Sequence, residues 1–102
     1  MNRNIKLHPA AAHEVTEARA HYAQISAELA DAFIHELSVT MERAARLPES
    51  GRPWSRTDTG RRVYLLDRFP YLVIARADLV DLRVIAVAHQ RRKPGYWRQR
   101  DR

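Results

Sequence analysis

His89, Arg91, Arg92 and Tyr96 stand within eight positions near the end of this 102-residue chain. They are the side chains that could do chemistry together. Cutting RNA by attack of a 2′-hydroxyl needs a base, an acid and cations around the phosphate. Histidine, tyrosine and arginine can fill those roles. The same set can instead simply bind. Arg91 and Arg92 then meet carboxylates or phosphates, with Tyr96 and Trp97 packed beside them. Residue type alone does not choose. Tyr96 follows Pro94-Gly95, and such a break holds a catalytic group poorly to tolerance. The expectation is therefore a contact surface made by Arg91, Arg92, Tyr96, Trp97 and Arg98. Arg91, Arg92, Tyr96 and Trp97 are expected to be needed more for action on a target than for folding. Trp97 has a structural alternative, since a lone tryptophan commonly closes a core edge.

Other chemistry finds little support. There is no cysteine, so thiolate catalysis, disulfides and cysteine metal sites are excluded. His8 and His13 flank a helix start, and His21 and His35 fall on different helices; no pair has metal-ligand spacing. There is no glycine-rich phosphate loop and no nucleophile elbow. Neither metal nor cofactor is expected. The longest apolar run is far short of a membrane span. Met1 to Lys6 has no signal-peptide apolar core. A cytoplasmic location is expected, with no membrane partner.

The reactive group must be delivered by the strand before it. Val84-Ile85-Ala86-Val87-Ala88 is apolar throughout and rich in β-branched residues, which suits a strand buried on both faces. Asp81–His89 should be interior to the sheet. Two strands precede it, Arg61–Leu66 and Phe69–Arg76, and tight connections make all three antiparallel neighbours. Pro70 sits near a strand start, where it is tolerated. Glu49 to Gly60 reads as a loop in which Trp54 plugs the core edge.

Upstream, Ile5 and Leu7 alternate with Lys6 and His8, a short strand with one apolar face. Pro9 opens a helix with a stripe at Ala11, Val15, Ala18, Tyr22 and Ile25; Glu14, Glu17 and Arg19 fall off it. Ser26 caps a second helix, with Glu28 in its first turn. Its apolar positions run from Leu29 through Phe33, Leu37 and Met41 to Leu47, and Pro48 ends it. The two stripes form an antiparallel hairpin that must cover one sheet face. The result is a single α+β domain, residues 1–102, in the order β-α-α-β-β-β on a small antiparallel sheet.

The net charge is +6. From His89 onward six lysines and arginines face one acid, Asp101. A basic tail attracts polyanions or acidic proteins. The bland alternative is a solvated tail, but solvated tails seldom carry large aromatics.

Residues in this order also resemble a known superfamily. They are Pro9-Ala10, the alanine-rich helix with Tyr22, Phe33 with Glu36-Leu37, Pro48, Gly51 and Arg61-Arg62. Phe69-Pro70-Tyr71 follows, and then Ala86 to Arg92 with Pro94-Gly95-Tyr96-Trp97. The chain resembles the RelE/ParE superfamily of type II toxins, in its ParE-like plasmid-stabilisation branch. The resemblance implies a helical hairpin on a small antiparallel sheet. It also implies a cognate antitoxin, in a hetero-oligomer expected to be a heterotetramer, whose C-terminal segment wraps the toxin. RelE-like members cleave mRNA in the ribosomal A site; ParE-like members inhibit DNA gyrase. In the nuclease case His89, Arg91, Arg92 and Tyr96 would be catalytic. This chain has Tyr71 where those nucleases carry a third-strand arginine, and no lysine in the loop before Arg61. The expectation is therefore a gyrase-binding toxin with no catalytic residues. A ribosome-dependent endoribonuclease is the alternative, and an inactive antitoxin-binding module is a third possibility.

Overall fold

In a computed structural model describing residues 2–101, the chain runs β1 (Asn4–Leu7), α1 (Pro9–Ala23), α2 (Ala27–Arg46), β2 (Arg52–Pro53), β3 (Arg61–Leu65), β4 (Tyr71–Ala77) and β5 (Asp81–His89). Single 3-10 turns lie at Pro48–Ser50 and Arg98–Arg100. Met1 and Arg102, the latter counted in the basic tail, lie outside the described residues.

The helix starts follow local chemistry. Pro9 occupies the first turn of α1, and the His8 imidazole accepts the Ala10 N–H at 3.0 Å. Ser26 caps α2, its hydroxyl accepting the Leu29 N–H at 3.0 Å. Pro48 cannot continue the helix, and α2 stops at Arg46. Only Gln24 to Ser26 separate the helices, so they pack as the expected antiparallel pair.

The strands form one five-stranded sheet ordered β1-β5-β4-β3-β2. β5 is interior, as its unbroken apolar run requires. Two details differ from expectation. β1 pairs with β5 in parallel, Asn4 with Asp81 through Leu7 with Val84, so the sheet is mixed. The short-connection rule that makes neighbours antiparallel holds for β3, β4 and β5; a whole helical hairpin separates β1 from its partner. The segment expected as loop also contributes the two-residue edge strand β2, pairing Arg52 with Val63 and Pro53 with Arg62. Pro53 suits an edge because it lacks an N–H.

Two cores result. On one face α1 and α2 bury Phe33, Leu37, Ala18 and Tyr22 against Val73, Val84 and Val87. Phe33 sits between the rings of Tyr22, Phe69 and Tyr71. On the other face Val63, Ile74, Ile85 and Ala86 pack under Trp97. A β-bulge makes this division. Ile74 opposes Ala86 and Ala75 opposes Val84, leaving Ile85 unpaired. Ile85 and Ala86 therefore both turn to the second face, and the alternation restarts with Val87 on the helix face. Period-two spacing alone would put Ile85 and Val87 together; the bulge puts them on opposite sides.

The α1 stripe also needs correction. Ile25 is 65% exposed, whereas Glu14 is only 9% exposed. The buried line is Ala11, Glu14, Ala18 and Tyr22, at spacings of three, four and four.

Gly51 is fixed by a close approach. A Cβ there would collide with the Tyr64 ring, which cannot retreat freely because its hydroxyl donates to the Pro48 carbonyl at 2.7 Å. Gly51→Ala should cost about 1–3 kcal/mol, as overpacking does. An urea midpoint equal to that of the unsubstituted chain would contradict this.

Candidate functional site

Beyond β5 the chain turns back over the second face. Gly95 takes φ 81°, the left-handed region that glycine adopts without strain. That turn returns Tyr96 and Trp97 to the sheet. Trp97 is 2% exposed, with Trp54 meeting it edge to face at 4.8 Å and the Arg61 guanidinium at 5.1 Å from its ring centre. Trp97 is thus mainly structural: the structural alternative holds for this residue, whose large apolar ring closes the second core. Trp54 closes the edge of the same core, as expected.

A buried carboxylate clasps the tail. Glu14 of α1 accepts the Tyr96 hydroxyl, both Arg100 guanidinium nitrogens at 2.9 and 3.1 Å, and the Val87 N–H at 3.0 Å. Arg100 also donates to the Ile85 carbonyl at 3.2 Å. The cause lies in the sheet. β1 ends at Leu7, opposite Val84, so β5 continues past its parallel neighbour. The backbone groups exposed there need partners, and Glu14 and Arg100 supply them.

The same clasp sets the local electrostatics. Burial alone would raise the Glu14 pKa, but the hydrogen bonds from Arg100, Tyr96 and Val87 outweigh it and hold it below the ordinary value. Tyr96 is pushed far up, first by burial and then by the hydrogen bond to Glu14 and its charge. Its ring is covered by Arg92 at 4.0 Å and Arg100 at 5.0 Å.

The expected residues therefore separate. Tyr96 and Arg92 come together at Glu14, with Arg92 3.9 Å from its carboxylate. His89 stands apart, its ring against Tyr71 at 5.2 Å and its Nδ1 accepting the Arg91 N–H at 3.1 Å. Arg91 and Arg98 point to solvent. Among the described residues Arg52, Arg91, Lys93 and Arg98 form no ion pair, unlike Arg61, Arg76, Arg92 and Arg100. Between tail and sheet lies a cleft of about 170 Å³, floored by Leu72 and Ala88, walled by Trp54, Trp97 and Tyr96, and rimmed by Arg52, Arg92 and Lys93.

Glu14 and Arg100 were not among the site residues expected from sequence. A signal existed: Glu14 lies three residues after Ala11 and four before Ala18, inside a line of small residues that must approach the sheet.

The hairpin on one sheet face and the basic tail clasped over the other define a small α+β protein with a cationic, clasped C-terminal segment. The family model described as the ParE toxin of type II toxin-antitoxin system, parDE, matches residues 5–94, and the chain belongs to that family. Among solved structures it is similar to a chain of the chromosomal ParDE TA system from P. aeruginosa, with TM-score 0.70 and 16% identity over 85% of this chain and 95% of that one. At that identity the likeness concerns the fold. No curated protein matches.

Proposed function

We propose that this chain is a growth-arresting toxin that acts in the cytoplasm by binding DNA gyrase and is neutralised by a cognate antitoxin. The observation that carries this is a set of cations without an ion pair among the described residues: Arg52 and Lys93 at the cleft, and Arg91 and Arg98 exposed on the same tail. Tyr96, the one tail hydroxyl available as an acid, is committed to Glu14 and has a raised pKa, which favours binding over cleavage. No helix of the described residues is long and apolar enough to cross a membrane.

An antitoxin has a place to dock. β1 is a sheet edge, and an open edge is a template for an added strand. A groove of about 480 Å³ runs beside it, lined by Arg3, Ile5, Glu42 and Arg46 among others. Leu79 and Val80 stand in solvent on the β4–β5 turn, 93% and 62% exposed. Val80 accepts the Asn4 N–H at 2.9 Å, so this apolar tip adjoins the open edge.

A supercoiling assay with purified gyrase tests the target. The toxin should inhibit it, and Arg91→Ala with Arg92→Ala should not. The pair should cost about 1 kcal/mol, chiefly the cation–π contact of Arg92, or about 4–8 °C in melting temperature. Unaffected supercoiling together with cleavage of mRNA on translating ribosomes would replace gyrase binding with ribonuclease activity. Failure in both assays, with antitoxin binding retained, would identify an inactive module.

A further inference from the structure

The cleft beneath the tail has the dimensions of a single side chain. At about 170 Å³ it lies below the roughly 300–1,000 Å³ of small-molecule sites. Its floor, Leu72 and Ala88, consists of directly opposed residues of β4 and β5. The apolar strip continues to the exposed Leu65, which opposes Leu72. Arg52 and Lys93 stand at its rim without an ion-pair partner among the described residues. Arg92 shares Glu14 with the closer Arg100. An aliphatic floor inside unneutralised cations matches one ligand chemistry, an aliphatic group set between carboxylates.

We propose that this cleft docks an extended acidic segment of a partner protein, with one aliphatic side chain on Leu72 and Ala88 and flanking carboxylates on Arg52 and Lys93. That the partner is the toxin's target rests on the function proposed above; the chemistry of the cleft does not. Nucleic acid is the other polyanion these cations attract, but single-stranded bases bind by stacking on free aromatic faces. Tyr96 has Arg92 and Arg100 over its ring. Trp97 is buried beneath Arg61 and the edge of Trp54. Trp54 is half-buried and serves as a wall of the cleft.

The test is an amide-resolved NMR titration of the full ¹⁵N-labelled chain with three probes: a blocked pentapeptide EDLDE, its serine analogue EDSDE, and a short oligouridylate. EDLDE should shift the amides of Leu72 and Ala88 and the Trp54 indole N–H. EDSDE should bind at least about tenfold more weakly, since a leucine side chain leaves water in the first case only. Arg52→Glu with Lys93→Glu should abolish the shifts while the rest of the spectrum stays in place. Three results would overturn the assignment: no cleft shifts at millimolar peptide, equal binding of the serine analogue, or tighter saturation of the cleft by oligouridylate. The double variant also separates the two claims. If it loses the peptide yet still arrests growth, the cleft is a peptide site and the toxic surface lies elsewhere. If gyrase inhibition depends on Arg91 and Arg92 while no peptide reaches the cleft, the docking assignment fails and gyrase binding stands.

Discussion

Trp97→Ala should lower the unfolding free energy by about 3–5 kcal/mol, the usual cost of truncating a buried large aromatic. Trp97 has its sheet contacts with Val63, Ile74, Ile85 and Ala86 and its edge contact with Trp54. Trp54 and Tyr96 cover only the margins of that core, so the space left by the ring lies next to solvent. For a domain of this size the melting temperature should fall by more than 10 °C, at about 4–8 °C per kcal/mol. Deleting residues 96–102 should be worse, because Tyr96 and Arg100 leave with Trp97. Thermal unfolding followed by circular dichroism measures both. A truncated chain melting within a few degrees of the full one would mean that the tail is a loose appendage.

The second large effect is expected at Glu14. Its carboxylate joins α1, β5 and the tail through four hydrogen bonds. Glu14→Ala leaves Arg100, Tyr96 and the Val87 N–H without their acceptor. Breaking a buried ion pair by removing one partner costs about 3–5 kcal/mol. Here about 3 kcal/mol is expected, at the low end of that range, because the Arg100 side chain is already partly exposed and can turn into water. The dependence on pH has a definite sign. The folded carboxyl has a pKa below its ordinary value of 4.5, so the folded state binds the proton less readily than the unfolded one. The stabilisation is complete above pH 4.5 and is lost as pH falls through the folded value. Stability curves of the wild type and the variant should therefore converge in acid. A constant gap from pH 7 to pH 3 would show that Glu14 acts through packing alone.

The elements with a strong local pattern were legible in the sequence. Ser26, Pro9 and Pro48 mark helix ends by capping chemistry that needs no tertiary information, and Val84 to Ala88 could only be an interior strand. The parallel pairing of β1 was not legible, because strand direction across a long crossover is set by how the hairpin packs. The bulge at Ile85 escaped for a related reason. In a run that is apolar at every position, no polar residue marks where the alternation slips. At the site, the basic cluster was visible as composition, but its division was not. Tyr96 and Trp97 read as exposed because they follow a proline–glycine break, yet the glycine is what folds them inward. Glu14 falls off the apolar stripe read from Ala11, Val15, Ala18, Tyr22 and Ile25, and a charged residue is ordinarily on the surface. Its burial depends on an arginine eighty-six residues away.

The parallel pairing of β1 with β5 has a consequence for the order of assembly. Residues 4–7 are synthesised well before their partners, residues 81–84. The helical hairpin is local and can form while the chain is still growing. The first strand has nothing to pair with until β5 emerges, and Glu14 has no counter-charge until Arg100 follows. Contacts of such sequence separation form late and slowly. The nascent chain should thus remain without its closed sheet until β5 has been made, and without the clasp at Glu14 until Arg100 has followed it.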